Sequence, residues 1–143
     1  MAQVSRSALV PYSADAMFFL VNDVASYPQF MDGCQSVKII EHTEQRMVAS
    51  LCLKKAGIEV NLTTENKLIP GECIEMSLQD GPFSSFKGLW QFKALSDSAS
   101  KLSLDLEFEF KRRGLGTVAS GMFSGVANNL VDALCRRADE MYK

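Results

Sequence analysis

The sequence has little histidine and lacks the close cysteine spacings on which many metal-binding and redox scaffolds depend. It contains one histidine, His42, and no Cys-x-x-Cys spacing. Without these residues there is no sequence support for a zinc site or a dithiol redox motif, so we expect neither a metal nor a covalent cofactor. Reduced, mostly buried thiols are expected at the four widely spaced cysteines, Cys34, Cys52, Cys73 and Cys135.

Long apolar runs are also missing. No run approaches the ~20 residues of a membrane span, and the first six residues lack the basic-then-apolar layout of a signal peptide. We therefore expect a cytoplasmic protein. The chain also has no excess of basic residues, since the net charge is −2 and the pI is near 5.4. We therefore expect no DNA partner.

The composition that remains is that of a globular protein. The chain has 143 residues, of which 47% are hydrophobic and 22% charged. This length predicts one domain over residues 1–143, large enough to bury a core without disulfides or a metal.

The N-terminal part begins with a strand signal and continues with a helix signal. Residues 3–10 mix apolar and polar side chains as a strand does. Ser13 then stands at an N-cap position and Asp15 in the first turn, which predicts a helix over residues 14–22. A second, very short helical turn follows, and Pro28 confines it to a few residues.

Between Cys34 and Phe110 the hydrophobic period is two. In the last strand of this region, apolar residues at 102, 104, 106, 108 and 110 alternate with polar ones. Alternation of this kind predicts an antiparallel sheet with one wet face. Turn residues at 55–57, 70–71, 80–82 and 96–98 divide the region into about six strands.

After the basic and glycine-rich segment 111–116 the period returns to 3.6. A stripe of apolar residues predicts one long helix: Leu115, Val118, Ala119, Met122, Val126, Leu130, Leu134, Ala138 and Met141. About 26 helical residues span ~39 Å, enough to cross a curved sheet. We therefore predict an α+β fold. About seven antiparallel strands wrap around a long C-terminal helix, and two short helices follow the first strand.

Three features resemble one known family. They are the run Asp23-Val-x-x-Tyr27-Pro28-x-Phe30, the later Asp80-Gly-Pro-Phe83 with Trp90 downstream, and the final alternating strand that enters a long helix. Together they resemble the coenzyme Q-binding START-domain family, part of a wider superfamily of polyketide cyclase-like proteins. The resemblance extends over nearly all of the chain and implies the helix-grip fold, in agreement with the elements predicted above.

The resemblance also implies two functions. One is binding of the isoprenoid tail of ubiquinone in support of respiration. The other belongs to bacterial ribosome association toxins of this family, which bind the large ribosomal subunit and block joining of the subunits. One segment departs from the family pattern, because Phe30-Met-Asp-Gly-Cys34 stands where quinone-binding relatives have Phe-x-Pro-Trp-Cys.

Inward positions near the start of the long helix combine large and small residues. Glycine inside a helix costs about 1 kcal/mol relative to alanine, so Gly121 and Gly125 predict either close packing on the sheet or room for an apolar molecule. Tyr27, Phe30 and Phe83 lie on predicted loops and are candidates for a gate or a docking patch. The predicted ligand-binding residues are Tyr27, Phe30, Phe83, Trp90, Phe92, Leu106, Phe108, Met122 and Val126.

No set of residues supports catalysis. His42 stands alone in a predicted hairpin connection, and Cys34, the most exposed-looking thiol, has no histidine to activate it. We therefore predict non-catalytic binding of a hydrophobic molecule, most of all a polyprenyl quinone such as ubiquinone, and leave a transient membrane contact open. Ribosome association is the alternative and a polyketide cyclase-like enzyme the third candidate. Basic residues available for the large subunit are Lys111, Arg112, Arg113, Arg136 and Arg137.

Overall fold

The computed structural model describes residues 2–111 and 113–143, except for the side chains of residues 113–116. A short 3-10 helix and two α-helices accompany a seven-stranded sheet. The elements in chain order are β1 (Ala2–Val10), α1 (Ala14–Asn22), the 3-10 helix (Val24–Gln29), β2 (Cys34–His42), β3 (Arg46–Lys55), β4 (Ile58–Ile69), β5 (Cys73–Asp80), β6 (Phe83–Ser96), β7 (Ala99–Phe110) and α2 (Arg113–Tyr142).

The sheet is antiparallel throughout, with the strand order β1-β7-β6-β5-β4-β3-β2. Consecutive strands from β2 to β7 form hairpins, and the four turns from β3 onward fall where the turn residues predicted them. At the β3–β4 turn, Ala56 and Gly57 both have positive φ, 53° and 80°, as a two-residue type I′ turn requires. The first two strands differ, because β1 and β2 lie at opposite edges and α1 with the 3-10 helix connects them.

The predicted bounds of α1 are confirmed. The helix begins after Ser13, whose Oγ accepts a hydrogen bond of 3.1 Å from the backbone N–H of Ala16. This bond satisfies one of the N–H groups that a helix start leaves free, and Asp15 complements the helix dipole there. The second helical turn is the 3-10 helix, which contains Pro28.

Helix α2 has 30 residues, so it is about 45 Å long, somewhat longer than predicted. It packs against β1, β4 and β7. Its buried residues include Phe123 and Val131, which the predicted stripe missed, whereas Val118 and Met141 of that stripe are 56% and 45% exposed. The buried face is thus rotated in part relative to the predicted stripe, because the contacts with the sheet decide which residues are buried; the two share Val126, Leu130, Leu134 and Ala138.

Hydrogen bonds fix the C-terminal half of α2 to β1 and α1. The Arg6 guanidinium donates to the carbonyl oxygen of Asn128 at 2.8 Å and to Asp132 Oδ1 at 2.9 Å. The Tyr142 hydroxyl donates to the carbonyl oxygen of Ala16 at 2.9 Å. One long helix held across a seven-stranded antiparallel sheet is the helix-grip fold, so the predicted α+β fold class is confirmed. One domain over residues 1–143 stays a prediction.

Candidate functional site: an apolar cavity between the sheet and the long helix

A cavity lies between the sheet and α2. Its sheet wall consists of inward-facing residues of β3 to β7, which are Leu51, Leu53, Leu62, Thr64, Asn66, Ile74, Met76, Phe86, Trp90, Leu104 and Leu106. The opposite wall comes from α2, the end of α1 and the segment around the 3-10 helix, with Phe123, Val126, Ala127, Leu130, Val21, Val24, Tyr27 and Met31. Apolar side chains therefore surround almost the whole space.

The cavity offers about 90 Å³ to the centres of water-sized spheres. Roughly 10–15 Å³ of such space accommodates one water molecule, so the cavity takes a short apolar fragment as it stands. A longer molecule requires side chains to move. Met31 and Met76 line the cavity, and methionine adapts readily to an irregular neighbour because its side chain is unbranched and flexible.

Tyr27 is the one ionisable residue among the described residues that line the cavity. Its hydroxyl donates a hydrogen bond of 2.5 Å to the carbonyl oxygen of Val21. Burial, and secondarily the negative charges that Cys34 and Asp23 can carry, raise the pKa of Tyr27 far above its ordinary value. The lining is therefore uncharged at physiological pH.

Two polar side chains interrupt the apolar lining. Thr64 and Asn66 lie on the inward face of β4, where they are 4% and 6% exposed. The Asn66 Oδ1 atom is buried and has no hydrogen-bond partner within residues 2–111 and 113–143. Unpaired buried oxygens are rare in folded proteins, so Asn66 distinguishes this cavity from an ordinary packing gap.

Four of the predicted ligand-binding residues line the cavity: Tyr27, Trp90, Leu106 and Val126. Phe92 does not, because its ring packs against Phe18 with the ring centroids 5.5 Å apart. Phe30 and Met122 are half-buried residues that pack against the core outside the lining.

Phe83 and Phe108 also lie outside the lining. They belong to an aromatic cluster formed by Phe83, Phe86, Phe108, Phe110 and Phe123, with centroids as close as 4.4 Å for Phe83 and Phe110. Phe86 and Phe123 are shared with the cavity, so the cluster closes one end of it. The placement of Phe83 on a loop was wrong, because it begins β6 and is buried.

Neither interpretation of Gly121 and Gly125 is correct. Both residues are exposed, and a Cβ added at either one would meet no atom within 4 Å. They point away from the sheet, so they contribute neither close packing nor ligand space. Residues Ala127 and Leu130, on the buried side of the same helix, line the cavity instead.

The predicted exposure of Cys34 was wrong. The thiol is 7% exposed, and burial, followed by the neighbouring Cys52, raises the pKa of Cys34 to about 11. All four cysteines are free, and the other three are half-buried. His42 is exposed and is the last residue of β2, beside the hairpin connection in which it was predicted. Within the described residues, no three metal-binding side chains come together.

The basic residues predicted for ribosome contact come from two segments, one before and at the start of α2 and one near its end. Lys111 precedes α2 and is exposed, Arg112 lies outside the described residues, and Arg113 begins α2. Arg136 and Arg137 lie about 35 Å farther along the helix axis at 1.5 Å per residue.

The two arginines near the end of α2 differ in environment. Arg136 is exposed. Arg137 is half-buried, donates to Gln29 Oε1 at 3.2 Å and lies 5.2 Å from the ring centroid of Phe30. Arg137 thus holds α2 against the 3-10 helix, and Arg136 is the more available of the two for a phosphate.

No helix in the described part of the chain is long and apolar enough to cross a bilayer. A curved antiparallel sheet closed by one helix over an uncharged apolar cavity defines the helix-grip class of proteins. Residues 10–135 match the family model described as polyketide cyclase / dehydrase and lipid transport. The chain therefore belongs to this family.

Relatives within the family have distinct names. The chain is 48% identical over 142 residues to the ribosome association toxin RatA of Vibrio cholerae, covering 99% of each chain. It is 23% identical over 146 residues to the mitochondrial coenzyme Q-binding protein coq10 of Schizosaccharomyces pombe, covering 96% of this chain and 87% of that one. Among solved structures, the Zhui aromatase/cyclase from a Streptomyces species superposes with a TM-score of 0.83 at 22% identity, covering 99% and 96% of the two chains.

Proposed function

We propose that this protein is a non-catalytic binding protein that holds a hydrophobic molecule in the cavity, with a polyprenyl quinone such as ubiquinone as the foremost candidate. The uncharged, almost wholly apolar lining carries this proposal, because apolar pockets with few polar groups are typical of sites for hydrophobic ligands. The family description, which includes lipid transport, and the name of the coq10 relative support it.

The wall composition suits an isoprenoid tail. Branched and flexible apolar side chains from β3 to β7 and α2 can follow a methyl-branched chain, and burying each additional CH₂ contributes about 0.8 kcal/mol. Because the cavity takes only a short fragment as it stands, binding a long tail is expected to displace Met31 and Met76.

A cavity-filling substitution tests the proposal. Organic extraction of the purified protein followed by mass spectrometry should identify an apolar molecule, and a short-chain quinone analogue should bind in vitro. Ala127→Met, on the cavity side of α2, should lower affinity for the analogue at least tenfold. Gly121→Leu, on the exposed side of the same helix, is the matched control and should leave it unchanged. Equal affinities for both variants would place the ligand elsewhere.

Ribosome association is the second candidate function. The observation that favours it is the 48% identity to a protein named ribosome association toxin over 99% of both chains. In this role the protein would bind the large ribosomal subunit in the cytoplasm and block joining of the subunits. Quinone binding and ribosome association are compatible, since Lys111, Arg136 and Arg137 lie outside the cavity lining.

Charge reversal at the two basic surfaces tests this second function. Arg112→Glu with Arg113→Glu should abolish co-sedimentation with large subunits if phosphate contacts dominate, and high salt should do the same to the unmutated protein. Arg136→Glu tests the opposite end of α2, and Lys93→Glu, an exposed lysine on β6, is the control. Co-sedimentation that resists salt and all substitutions would indicate an apolar protein–protein contact.

A cyclase-like reaction is the least supported candidate. The described cavity lining contains no carboxylate, histidine or thiol that could act as acid, base or nucleophile. The likeness to an aromatase/cyclase concerns the fold, and a shared fold does not transfer a reaction.

A further inference from the structure

Asn66 is buried in the cavity wall with an unpaired side-chain oxygen. The register places it between Met47 on β3 and Met76 on β5, so its strand neighbours on the same face are apolar. Three other buried side-chain atoms without partners occur in the described residues, on Asn22, Ser85 and Arg137, and none of these residues lines the cavity. Asn66 is therefore the one of these four residues whose side chain lines the cavity.

Such an arrangement destabilises the free protein, because a buried oxygen loses its hydrogen bonds to water and gains none in return. A leucine of similar size would avoid this cost at the same position. The amide is thus better explained by a partner that arrives with the ligand. Thr64, two residues away on the same strand face and also buried, adds a hydroxyl beside it.

The chemistry of Asn66 and Thr64 limits which head group a ligand can have. A side-chain amide and a hydroxyl can each donate to a carbonyl or accept from a hydroxyl. No cation or anion is present in the described lining to neutralise a charged head group, and burying an unpaired charge is far more costly than burying a hydrogen-bonded neutral group.

We propose that Asn66 and Thr64 form a polar anchor in the cavity that binds the uncharged hydroxyl or carbonyl end of an amphiphile and rejects the carboxylate with the same tail. This inference rests on the proposed hydrophobic-ligand function and extends it to the class of head group. It separates quinones, quinols and long-chain alcohols, which fit the anchor, from ionised fatty acids, which do not.

Trp90 provides a direct readout, since it is the single tryptophan of the chain and lines the cavity. Its fluorescence should respond to 1-decanol, and decanoate at pH 8 should bind at least tenfold more weakly. Asn66→Leu should weaken decanol binding about tenfold, which corresponds to one hydrogen bond, and should raise the melting temperature. Asn61→Leu, the same change on the exposed face of β4, should leave decanol binding unchanged.

The outcomes distinguish this inference from the proposed function. Equal binding of decanol and decanoate, or unchanged decanol affinity in Asn66→Leu, would overturn the polar anchor and leave hydrophobic binding intact. A melting temperature lowered by Asn66→Leu would assign Asn66 a structural role and also overturn the anchor. Thr64→Val, nearly isosteric, repeats the affinity measurement if Asn66→Leu fails to fold. Failure of both decanol and a quinone analogue to perturb Trp90 would overturn the proposed cavity function itself.

Discussion

The Tyr27 hydroxyl donates a hydrogen bond of 2.5 Å to the main-chain carbonyl of Val21. Val21 lies in the last turn of α1, where helix carbonyls lack partners within the helix. Tyr27 therefore satisfies a buried acceptor of α1 and at the same time presents its ring to the cavity. One side chain thus connects the 3-10 helix, the end of α1 and the candidate site.

Tyr27→Phe should destabilise the protein. The substitution keeps the ring but leaves the buried Val21 carbonyl unpaired, which typically costs about 1–3 kcal/mol. Chemical denaturation measures the change in the free energy of unfolding. Tyr12→Phe is the control, because Tyr12 donates its hydrogen bond to Asp139 at the surface and its loss should cost at most about 1 kcal/mol. Equal costs for the two variants would contradict the structural role of Tyr27.

Cys34 should make stability fall in alkali. The thiol has an ordinary pKa of 9.0 and one of about 11 in the folded protein, so between these values the unfolded chain releases a proton that the folded protein keeps. The contribution of this thiol to the free energy of unfolding is fully present below pH 9. It is lost as the pH rises toward 11, by at most about 1.4 kcal/mol per pH unit. Cys34→Ala should reduce the fall of the urea-denaturation midpoint across this range. Cys52→Ala should reduce it less, because it removes only the smaller of the two causes of the shift; equal effects of the two substitutions would contradict the role of burial.

Gly125→Ala should stabilise the protein by about 1 kcal/mol, because alanine is the better helix former and its methyl group would meet no atom within 4 Å. Gly88→Ala is the contrasting change, since its Cβ would clash with Met76 Cε. Met76 lines the cavity and must move. Thermal unfolding should therefore show a higher melting temperature for Gly125→Ala. Titration with a quinone analogue should show a weakened affinity for Gly88→Ala. The reverse pattern would contradict the geometry of the site.

His42→Ala should leave ligand affinity and any cellular phenotype intact, with a stability change within about 0.5 kcal/mol, as for most exposed positions. Removal of a catalytic group behaves differently, because turnover falls by orders of magnitude while the fold survives. Growth assays and ligand titration with the purified variant check this expectation. A phenotype lost in a folded, ligand-binding variant would identify His42 as part of a reaction.

Local signals in the sequence were sufficient for most of the fold. Ser13 and Asp15 determine where α1 begins, and the four turn segments separate β3 to β7 because glycine, proline and aspartate suit the backbone angles of turns. The long helix was also predicted, but not its rotation. A stripe that includes Val118 and Met141 fits a period of 3.6 almost as well as the observed face does, and the contacts with the sheet decide between them.

The cavity lining could be predicted only in part. Alternation shows which strand residues face inward, but it does not separate those that meet the cavity from those that meet a neighbour. Phe92 faces inward and meets Phe18, whereas Trp90, two residues earlier, lines the cavity. On β4, Thr64 and Asn66 occupy inward positions and interrupt the apolar alternation of the strand, which is the signal in the sequence for this part of the cavity wall.

The pairing of β1 with β7 makes completion of the sheet depend on the last strand to be synthesised. Ala2 lies opposite Phe108 and Val10 opposite Ser100, so the first strand finds its partner only after more than two thirds of the polypeptide has been made. Contacts between such distant segments are slow to form. During synthesis, hairpins from β2 to β5 can form as they emerge from the ribosome, whereas β1 waits as an unpaired nascent segment. The step that closes the sheet therefore comes only after β7 has been made, and α2 follows β7 in the chain.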